Sequence, residues 1–582
     1  MSEGAAEAEA PHLALRDPGA SLGELRERAQ ALGVAPAAVS LMMGRGIREQ
    51  GAQDRWLRPR LSDLRRPDAM AGFEDTLDLL TTALRNRWRI GVFGDYDVDG
   101  VTTATILSSF LEALGAEVVS RVANRDSGYG FGVGDAKALV EAGVDVVLTG
   151  DCGTSDHEAL GWLRDRGIPC AVIDHHQVPE TMPPATALLN PHQEGCGFPF
   201  KGLCSAGVAF YLSASLRSTL AKTRARSSLP DPRAWLDMVA LGTVCDMVPL
   251  CDENRILVRH GLRVLEERRR PGLRALLSVA KIDEKEPLDE GHLGFRLGPR
   301  LNAPGRLGPA EPSLSLLRAR SLSEARGMAM RVEGCNTKRR SLQARIVAEA
   351  EAALAADPRA AGRSGLVVAK EGWLHGIVGI AAATLVQSYR RPVLVLAIDA
   401  ERKEARGSAR SFGDVDVRAA LHECAPMLRR YGGHRAAAGV SMDPGEIARF
   451  VEAFDAAVGA QIGAREVETG LGYDGVLTLD AIDPDFLAAL EGLGPYGMGF
   501  PAPRYLLEEA EVDHVRILKD VHLKLVLRQG GVLIDAIAFG QAGVGVSVGD
   551  RLSCLYVPSR SYYRGRWRLQ LQIETIWRTR SS

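Results

Sequence analysis

A chain of 582 residues with 46% hydrophobic and 25% charged side chains has a globular composition and room for about three to four domains. A net charge of −2 excludes a polycation that holds nucleic acid by bulk charge. No apolar run reaches the ~18 residues of a membrane span, and the acidic, alanine-rich start MSEGAAEAEAPHLALRD lacks a basic n-region and an apolar h-region, so a cytoplasmic protein with no membrane partner is expected.

Residues 20–85 carry helical spacing in LGELRERAQALG and FEDTLDLLTTALRNR, and 1–84 reads as an N-terminal helical extension. From 85 to 270 the pattern changes to strand–loop–helix units: RIGVFGDYDVDGVTTATILSSFLEALG, AEVVSRVANRDSGYGFGVGDAKALVEAG, VDVVLTGDCGTSDHEALGWLRDRG and PCAVIDHHQVPE. Repeated units of this kind specify a mainly parallel sheet covered by helices. Residues 271–355 read as a helical connector ending in a long, alanine-rich helix near 336–354. A second α/β region occupies 356–465, starting at GLVVAKEGWLHGIVGIAAATLVQ. The last part, 466–582, holds short strand-like runs (HLKLVLRQ, VLIDAIAF, RLSCLYVP, WRLQLQIETIW) that suggest a small oligonucleotide-binding (OB) type barrel. The nine cysteines form no CxxC pair, so reduced, structural thiols are expected.

Ligands of parallel α/β sheets lie beyond the carboxyl ends of the strands. Three predicted strands end there in metal-type side chains: RIGVF in Asp95, Asp97 and Asp99, VDVVLTG in Asp151, and CAVI in Asp174, His175 and His176. One acid after a strand is usually a turn residue or a helix cap, but coincidence is a poor account of three strands. Crowded carboxylates repel, and hard divalent cations with some taste for imidazole, Mn²⁺ or Mg²⁺, would offset them. A further acid, Asp237, lies inside the apolar helical run AWLDMVALGTV and needs a partner there; Asp246, nine residues on, is the alternative.

These groups, in this order, resemble the four motifs of the DHH phosphoesterase superfamily. GDYDVDGVTTA, VIDHH, DMVALGTVCDMVPL, GPRLNAPGRLG, GIVGIAA, GSARS and YGGHRAAAG are similar to the RecJ-type single-strand-specific DNA exonucleases over nearly the whole chain. The resemblance implies a DHH domain, a DHH-associated domain and an OB-like barrel. It implies two cations held by Asp97, Asp99, Asp151, His175 and Asp237, with Asp151 bridging. Asp95 and His176 would orient ligands or water and, with Asp151, form the catalytic set. Single-stranded DNA is the implied substrate, degraded from 5′ to 3′ in repair and recombination, with a helicase and a single-strand-binding protein as candidate partners.

Expected substrate contacts are Arg125 and Tyr129 in the glycine-rich loop RVANRDSGYGFG, and Arg300, Asn302 and Arg306 around a Gly/Pro turn. Ser408, Arg410 and His434 sit in the small-residue stretches GSARS and GGH, which read as anion-binding loops; the resemblance to the DHH-associated domain implies that they grip a terminal 5′-phosphate. Arg516, Lys519 and Lys524, with Tyr562, Tyr563 and Trp567, would extend the grip onto the barrel. Three places depart from the family pattern: Ser205 and Ala409 stand where glycine is usual, and Phe500-Pro501-Ala502-Pro503 replaces a more polar turn. Two other readings share these motifs, a phosphodiesterase of dinucleotides or short oligonucleotides and a non-catalytic DHH-type replication scaffold. The barrel argues against the first and the complete ligand set against the second.

Overall fold

The computed structural model describes residues 12–125, 130–463, 470–563 and 566–578. Among the described residues the first strand is the short β1 (Leu13–Leu15). The first sheet is built from β2 (Ile90–Gly94), β3 (Val118–Val122), β4 (Val146–Gly150), β5 (Cys170–Ile173) and β6 (Ala187–Leu189), all parallel, in the order β3-β2-β4-β5-β6. Every residue of β2, β4 and β5 is buried, as strands covered on both faces must be. Gly94 pairs with Gly150, and Gly150 with Ile173. The residues that follow, Asp95, Asp151 and Asp174, therefore leave the sheet at one level.

Helix Val98–Ala113 follows β2 and is buried almost all round from Val98 to Leu111, the pattern of a helix inside a core. It packs so closely that a Cβ on Gly94 would lie 2.4 Å from the Gly100 carbonyl oxygen. On Gly150 it would meet Thr103 at 2.5 Å. These glycines are required by close approach rather than by turn geometry.

The second sheet contains β7 (Leu366–Glu371), β8 (Val393–Asp399), β9 (Glu404–Arg410), β10 (Leu428–His434) and β11 (Ala437–Met442), ordered β10-β11-β9-β8-β7. Only the β7–β8 pair is parallel. GSARS and GGH, expected as loops, lie in β9 and β10, except for Ser411, which follows β9. Small residues are needed in β9 because a Cβ on Gly407 would sit 2.5 Å from the Val395 carbonyl oxygen.

The linking helix is longer than expected, Leu322–Ala356, 35 residues and so about 50 Å. Ala325, Ala329 and Val332 join the core of the first α/β domain, whereas Ile346, Ala350 and Leu354 join that of the second. One helix thus serves as a wall of two domains.

After β12 (Leu471–Tyr473), strands β13 (Tyr505–Leu518), β14 (His522–Gln529), β15 (Val532–Ala538), β16 (Arg551–Tyr563) and β17 (Arg566–Arg578) close a barrel in the order β13-β14-β15-β17-β16. The β15–β17 pair is parallel and the others antiparallel, the arrangement of an OB fold. The N-terminal extension divides between two cores. Helices Leu22–Leu32 and Pro36–Gly44 share the barrel's core and β1 pairs with β12, while Phe73, Leu80 and Ala83 belong to the first α/β domain. No helix among the described residues is long and apolar enough to cross a membrane.

Arg255 of helix Asp252–Glu266 ties the first domain to this C-terminal unit. Its guanidinium donates to the carbonyls of Leu493 (2.7 Å), Gly494 (3.0 Å) and Pro495 (3.3 Å), at the carbonyl-rich end of helix Pro484–Leu493, and to Trp56 (3.1 Å). It lies 4.1 Å from the centroid of the Trp56 ring, which packs on Phe500. The departing Phe500 is therefore a buried part of the joint. Burial and the charge of Arg259 pull the Arg255 guanidinium down to about 9.

Arg255→Ala removes the guanidinium donor from the Leu493, Pro495 and Trp56 carbonyls, leaving Gly494 to Arg259, and is expected to weaken the joint by about 3 kcal/mol or more. Hydrogen exchange over residues 484–500 should accelerate, and Arg255→Lys, lacking the planar fork, should not restore protection. Nearby, burial and the charge of Asp289 push the Glu290 carboxyl up to about 7. The folded state thus holds that proton more tightly than the unfolded chain. The stability it contributes is complete below about pH 4.5 and is lost as the pH rises through 7. Glu290→Gln should flatten a plot of melting temperature against pH across that window.

Candidate metal centre

Asp97 caps helix Val98–Ala113, accepting the Gly100 N–H at 3.1 Å. Asp99, in the first turn, accepts the N–H groups of Ser205 (2.7 Å) and Ala206 (3.1 Å), where helix Ser205–Leu220 begins. A helix amino end favours an anion, yet burial and Asp97 still push the Asp99 carboxyl up, with His175 working the other way. Asp95 is fully buried, and neither carboxylate oxygen has a well-formed hydrogen bond, the Tyr96 N–H approaching only marginally. Burial and the charge of Asp97 hold its carboxyl well above the usual range.

Asp151 has a φ of +63°, a costly backbone for a non-glycine residue and one that clusters at functional sites. Burial and the charges of Asp97, Asp99, Asp246 and Asp95 push it well up. The hydroxyl of Ser205, one of the departures from the family pattern, donates to Asp151 Oδ1 at 3.2 Å.

Asp174 plays a different part. Its Oδ1 accepts the N–H groups of His175 (2.7 Å) and His176 (3.2 Å) and faces His176 Nδ1 at 2.8 Å, while Oδ2 accepts the Thr154 N–H at 3.2 Å. Burial opposes its charge, but the bond and charge of His176 win and hold the carboxyl below its ordinary range. His176 is correspondingly pushed up to about 9, its own burial outweighed by Asp174. Asp174 thus orients the His176 imidazole directly, the usual work of a carboxylate behind a histidine ligand, and holds His175 by its backbone. His175 Nε2 is buried without a hydrogen bond, 3.3 Å from Asp151 Oδ1 and 3.4 Å from Asp246 Oδ2.

Three overlapping sets of donor atoms lie within 4.8 Å of one another: Asp95, Asp97 and Asp151; Asp151, His175 and His176; Asp99, His175 and Asp246. Asp151 and His175 each belong to two sets. Carboxylate oxygens with one or two imidazoles, mutually repelling and with buried atoms lacking partners, fit a pair of hard divalent cations such as Mn²⁺ or Mg²⁺.

Asp237 is not among them. It occupies the first turn of helix Leu236–Cys245, where Arg270 engages both its oxygens at 2.9 and 3.1 Å. Asp246 caps the other end of that helix, some 13 Å away along the axis. The buried acid needs a partner, as its apolar setting demands, but that partner is an arginine. Asp246 faces the site instead, its carboxyl pushed up to about 9 by burial, Asp99 and Asp97.

The expected substrate residues divide by what they touch. GPRLNAPGRLG is a helix, Gly298–Leu307, rather than a turn, preceded by a π-helical turn at His292–Leu297. On it Arg300 is committed to Glu333 of the long helix at 2.6 Å, and Asn302 is half-buried. Arg306 donates to the Gly376 carbonyl at 3.4 Å. Arg125 donates to the Gly305 carbonyl at 2.9 Å and lies 3.9 Å from the centroid of the Tyr96 ring. Burial, with the charges of Arg125, Arg339 and Arg410, pulls Arg306 down to about 10. Among the described residues, Arg125, Arg306 and Arg410 form no ion pair with a carboxylate, so positive charge gathers where the two α/β domains meet.

Arg410 donates to Ser408 Oγ, and a Cβ on Gly379 would come within 2.9 Å of its guanidinium. Register places Arg410, Ala437 and His434 in one row across β9, β11 and β10, so Arg410 and His434 share a face of the sheet. Tyr129 lies outside the described residues. On the barrel, Lys524 pairs with Asp535 at 3.5 Å, while Trp567 is 45% exposed and packs on Tyr562 with ring centroids 4.9 Å apart.

The sequence matches the DHH family N-terminal domain over residues 89–243, the DHHA1 domain over 362–460 and the RecJ OB domain over 473–575. The single-stranded-DNA-specific exonuclease RecJ of Haemophilus influenzae is 34% identical, covering 87% of this chain and 89% of that protein. The Escherichia coli protein of the same name is 33% identical over 87% and 90% of the two chains. A crystal structure of RecJ from Thermus thermophilus in complex with Mn²⁺ superposes with a TM-score of 0.81 at 28% identity, covering 98% of this chain and 80% of that one. Its complex with Mg²⁺ gives 0.75. Three matching domains, and two relatives alike over most of their length, make this chain a member of the RecJ family of single-stranded-DNA-specific exonucleases.

Proposed function

We propose that this chain, a metal-dependent single-strand exonuclease by family, removes mononucleotides from the 5′ end of DNA by hydrolysing the first phosphodiester bond. The observation that carries this reading is the convergence of Asp95, Asp97, Asp99, Asp151, His175 and Asp246 on one rim. When bound, two divalent cations supply Lewis acidity, polarising the phosphodiester and acidifying the attacking water. The residues supply the rest. Asp97, Asp99, Asp151, His175 and Asp246 would hold the cations, and Asp151 and His175 are each shared between two donor sets. Asp95 and His176 orient the water, and Asp174 fixes the His176 imidazole and the backbone of His175.

Polarity rests on the arginines. Ser408, Arg410 and His434, with Arg125 and Arg306, grip a terminal 5′-phosphate through charge-assisted bonds. That grip sets the end of the strand one nucleotide from the cations. Arg300 supports the grip from behind through Glu333 rather than touching DNA. The barrel, with Trp567 exposed, holds the strand further on. A helicase that opens duplex DNA and a protein that coats single strands are the proposed partners, in repair and recombination.

Asp246→Ala should lower Mn²⁺ affinity, read by calorimetry, at least about 10-fold and reduce cleavage in proportion. Asp237→Asn should keep that affinity while losing about 3 kcal/mol of stability, because Arg270 is left unpaired. The reverse pattern would return Asp237 to the site. Arg410→Ala should lose most of the preference for a 5′-phosphorylated over a 5′-hydroxyl end in competition assays. Unchanged preference would remove Arg410 from the 5′ grip.

A further inference from the structure

Phe295 is 83% exposed, although its neighbours Leu293 and Leu297 are fully buried. It projects from the π-helical turn His292–Leu297, an irregularity frequent at functional sites. This turn leans on the end of the helix that delivers Asp246. The Cys245 thiol donates to the Leu293 carbonyl at 3.6 Å, and a Cβ on Gly294 would be 3.5 Å from Val244. Next to Asp246, Met247 is 68% exposed and holds a φ of +60°, unfavourable for a side chain of its size. Two large apolar groups thus stand in solvent on segments that adjoin the end of the helix carrying Asp246.

The same stretch of chain gives this lip a direction. Starting beside Cys245, it continues through helix Gly298–Leu307 to Gly305, which packs on Tyr96, and Arg306, which reaches Gly376. One end therefore borders the Asp99–His175–Asp246 set, and the other borders the arginines and the Asp95–Asp97–Asp151 set. On the function proposed above, a strand held by its 5′-phosphate at the arginines and cut at the acids runs on toward the Asp246 end of this stretch, where Phe295 is exposed.

Resting on the function proposed above, we propose that Phe295 is the surface on which a nucleobase 3′ of the scissile phosphate stacks. Every base has a π-face, so such a contact grips single strands without regard to sequence, and paired bases cannot offer that face.

The test compares wild type, Phe295→Ala and Phe295→Tyr on 5′-phosphorylated oligonucleotides, intact or with one abasic residue at the second, third or fourth position. Phe295→Ala should raise KM, and the dissociation constant measured by anisotropy in chelator, by about 5- to 100-fold. It should change kcat less than about 2-fold, and Phe295→Tyr should restore binding. At one position an abasic residue should cost wild type about the same factor and cost Phe295→Ala nothing, the mark of a shared contact. The slope of log affinity against log salt should not change, because no phosphate contact is removed. An unchanged KM in Phe295→Ala, or equal abasic penalties in both proteins at all three positions, overturns the proposal. Wild type that cleaves no single strand in Mn²⁺ defeats the underlying function instead.

Discussion

Five carboxylates, Asp95, Asp97, Asp99, Asp151 and Asp246, are gathered at the carboxyl edge of one parallel sheet, where they repel one another. Two such charges about 4 Å apart cost about 4 kcal/mol at the effective dielectric of a protein surface. The helix amino end at Ser205 and the imidazoles of His175 and His176 offset part of this, yet Asp95, Asp99, Asp151 and Asp246 all remain pushed toward protonation. Only added positive charge relieves the rest. The surrounding fold reads as the apparatus that keeps the acids from moving apart: level strand ends, glycines where a side chain would clash, and a helix buried almost all round. A close-packed interior transmits such constraint because it has no slack.

Six of the arginines described above separate into three kinds by the same charge reasoning. Arg270 on Asp237 and Arg300 on Glu333 have partners, and removing either member would damage the fold. Arg255 has carbonyls instead of a carboxylate and joins two units. Arg125, Arg306 and Arg410, among the described residues, have only carbonyls, a hydroxyl or an aromatic ring, and they face one another at the junction of the α/β domains. Like charges converging without an anion are costly in an isolated protein. They make sense where a phosphate completes the set.

Much of this was legible in the sequence because strand ends in a parallel sheet have fixed chemistry. Apolar runs ending in Asp95, Asp151 and Asp174-His175-His176 needed no contact information to be placed on one rim. Helix periodicity could not decide between Asp237 and Asp246, because the deciding fact is Arg270, a partner 33 residues from Asp237 in the chain. GSARS and GGH read as loops because serine and glycine are poor strand formers, whereas Gly407 is demanded by the close approach of Val395. The sharing of one core by residues 25–43 and the barrel is a long-range contact with no local signature. Ser205 drew notice only as a departure, with nothing to indicate that its hydroxyl meets Asp151.

The long helix explains how two separate chemistries can act on one strand. Its first half is fixed into the core that carries the acids and its second half into the core beneath the sheet that carries Arg410. Bending such a helix would break packing in both domains at once. Arg300–Glu333 stiffens the first half, and Gln343 donates to Thr384 at 3.0 Å across the second. The spacing between the arginines and the acidic rim is therefore a property of a packed rod and not of a flexible linker. On the proposed reading, that fixed spacing is what makes each cut fall at the same distance from the end of the strand.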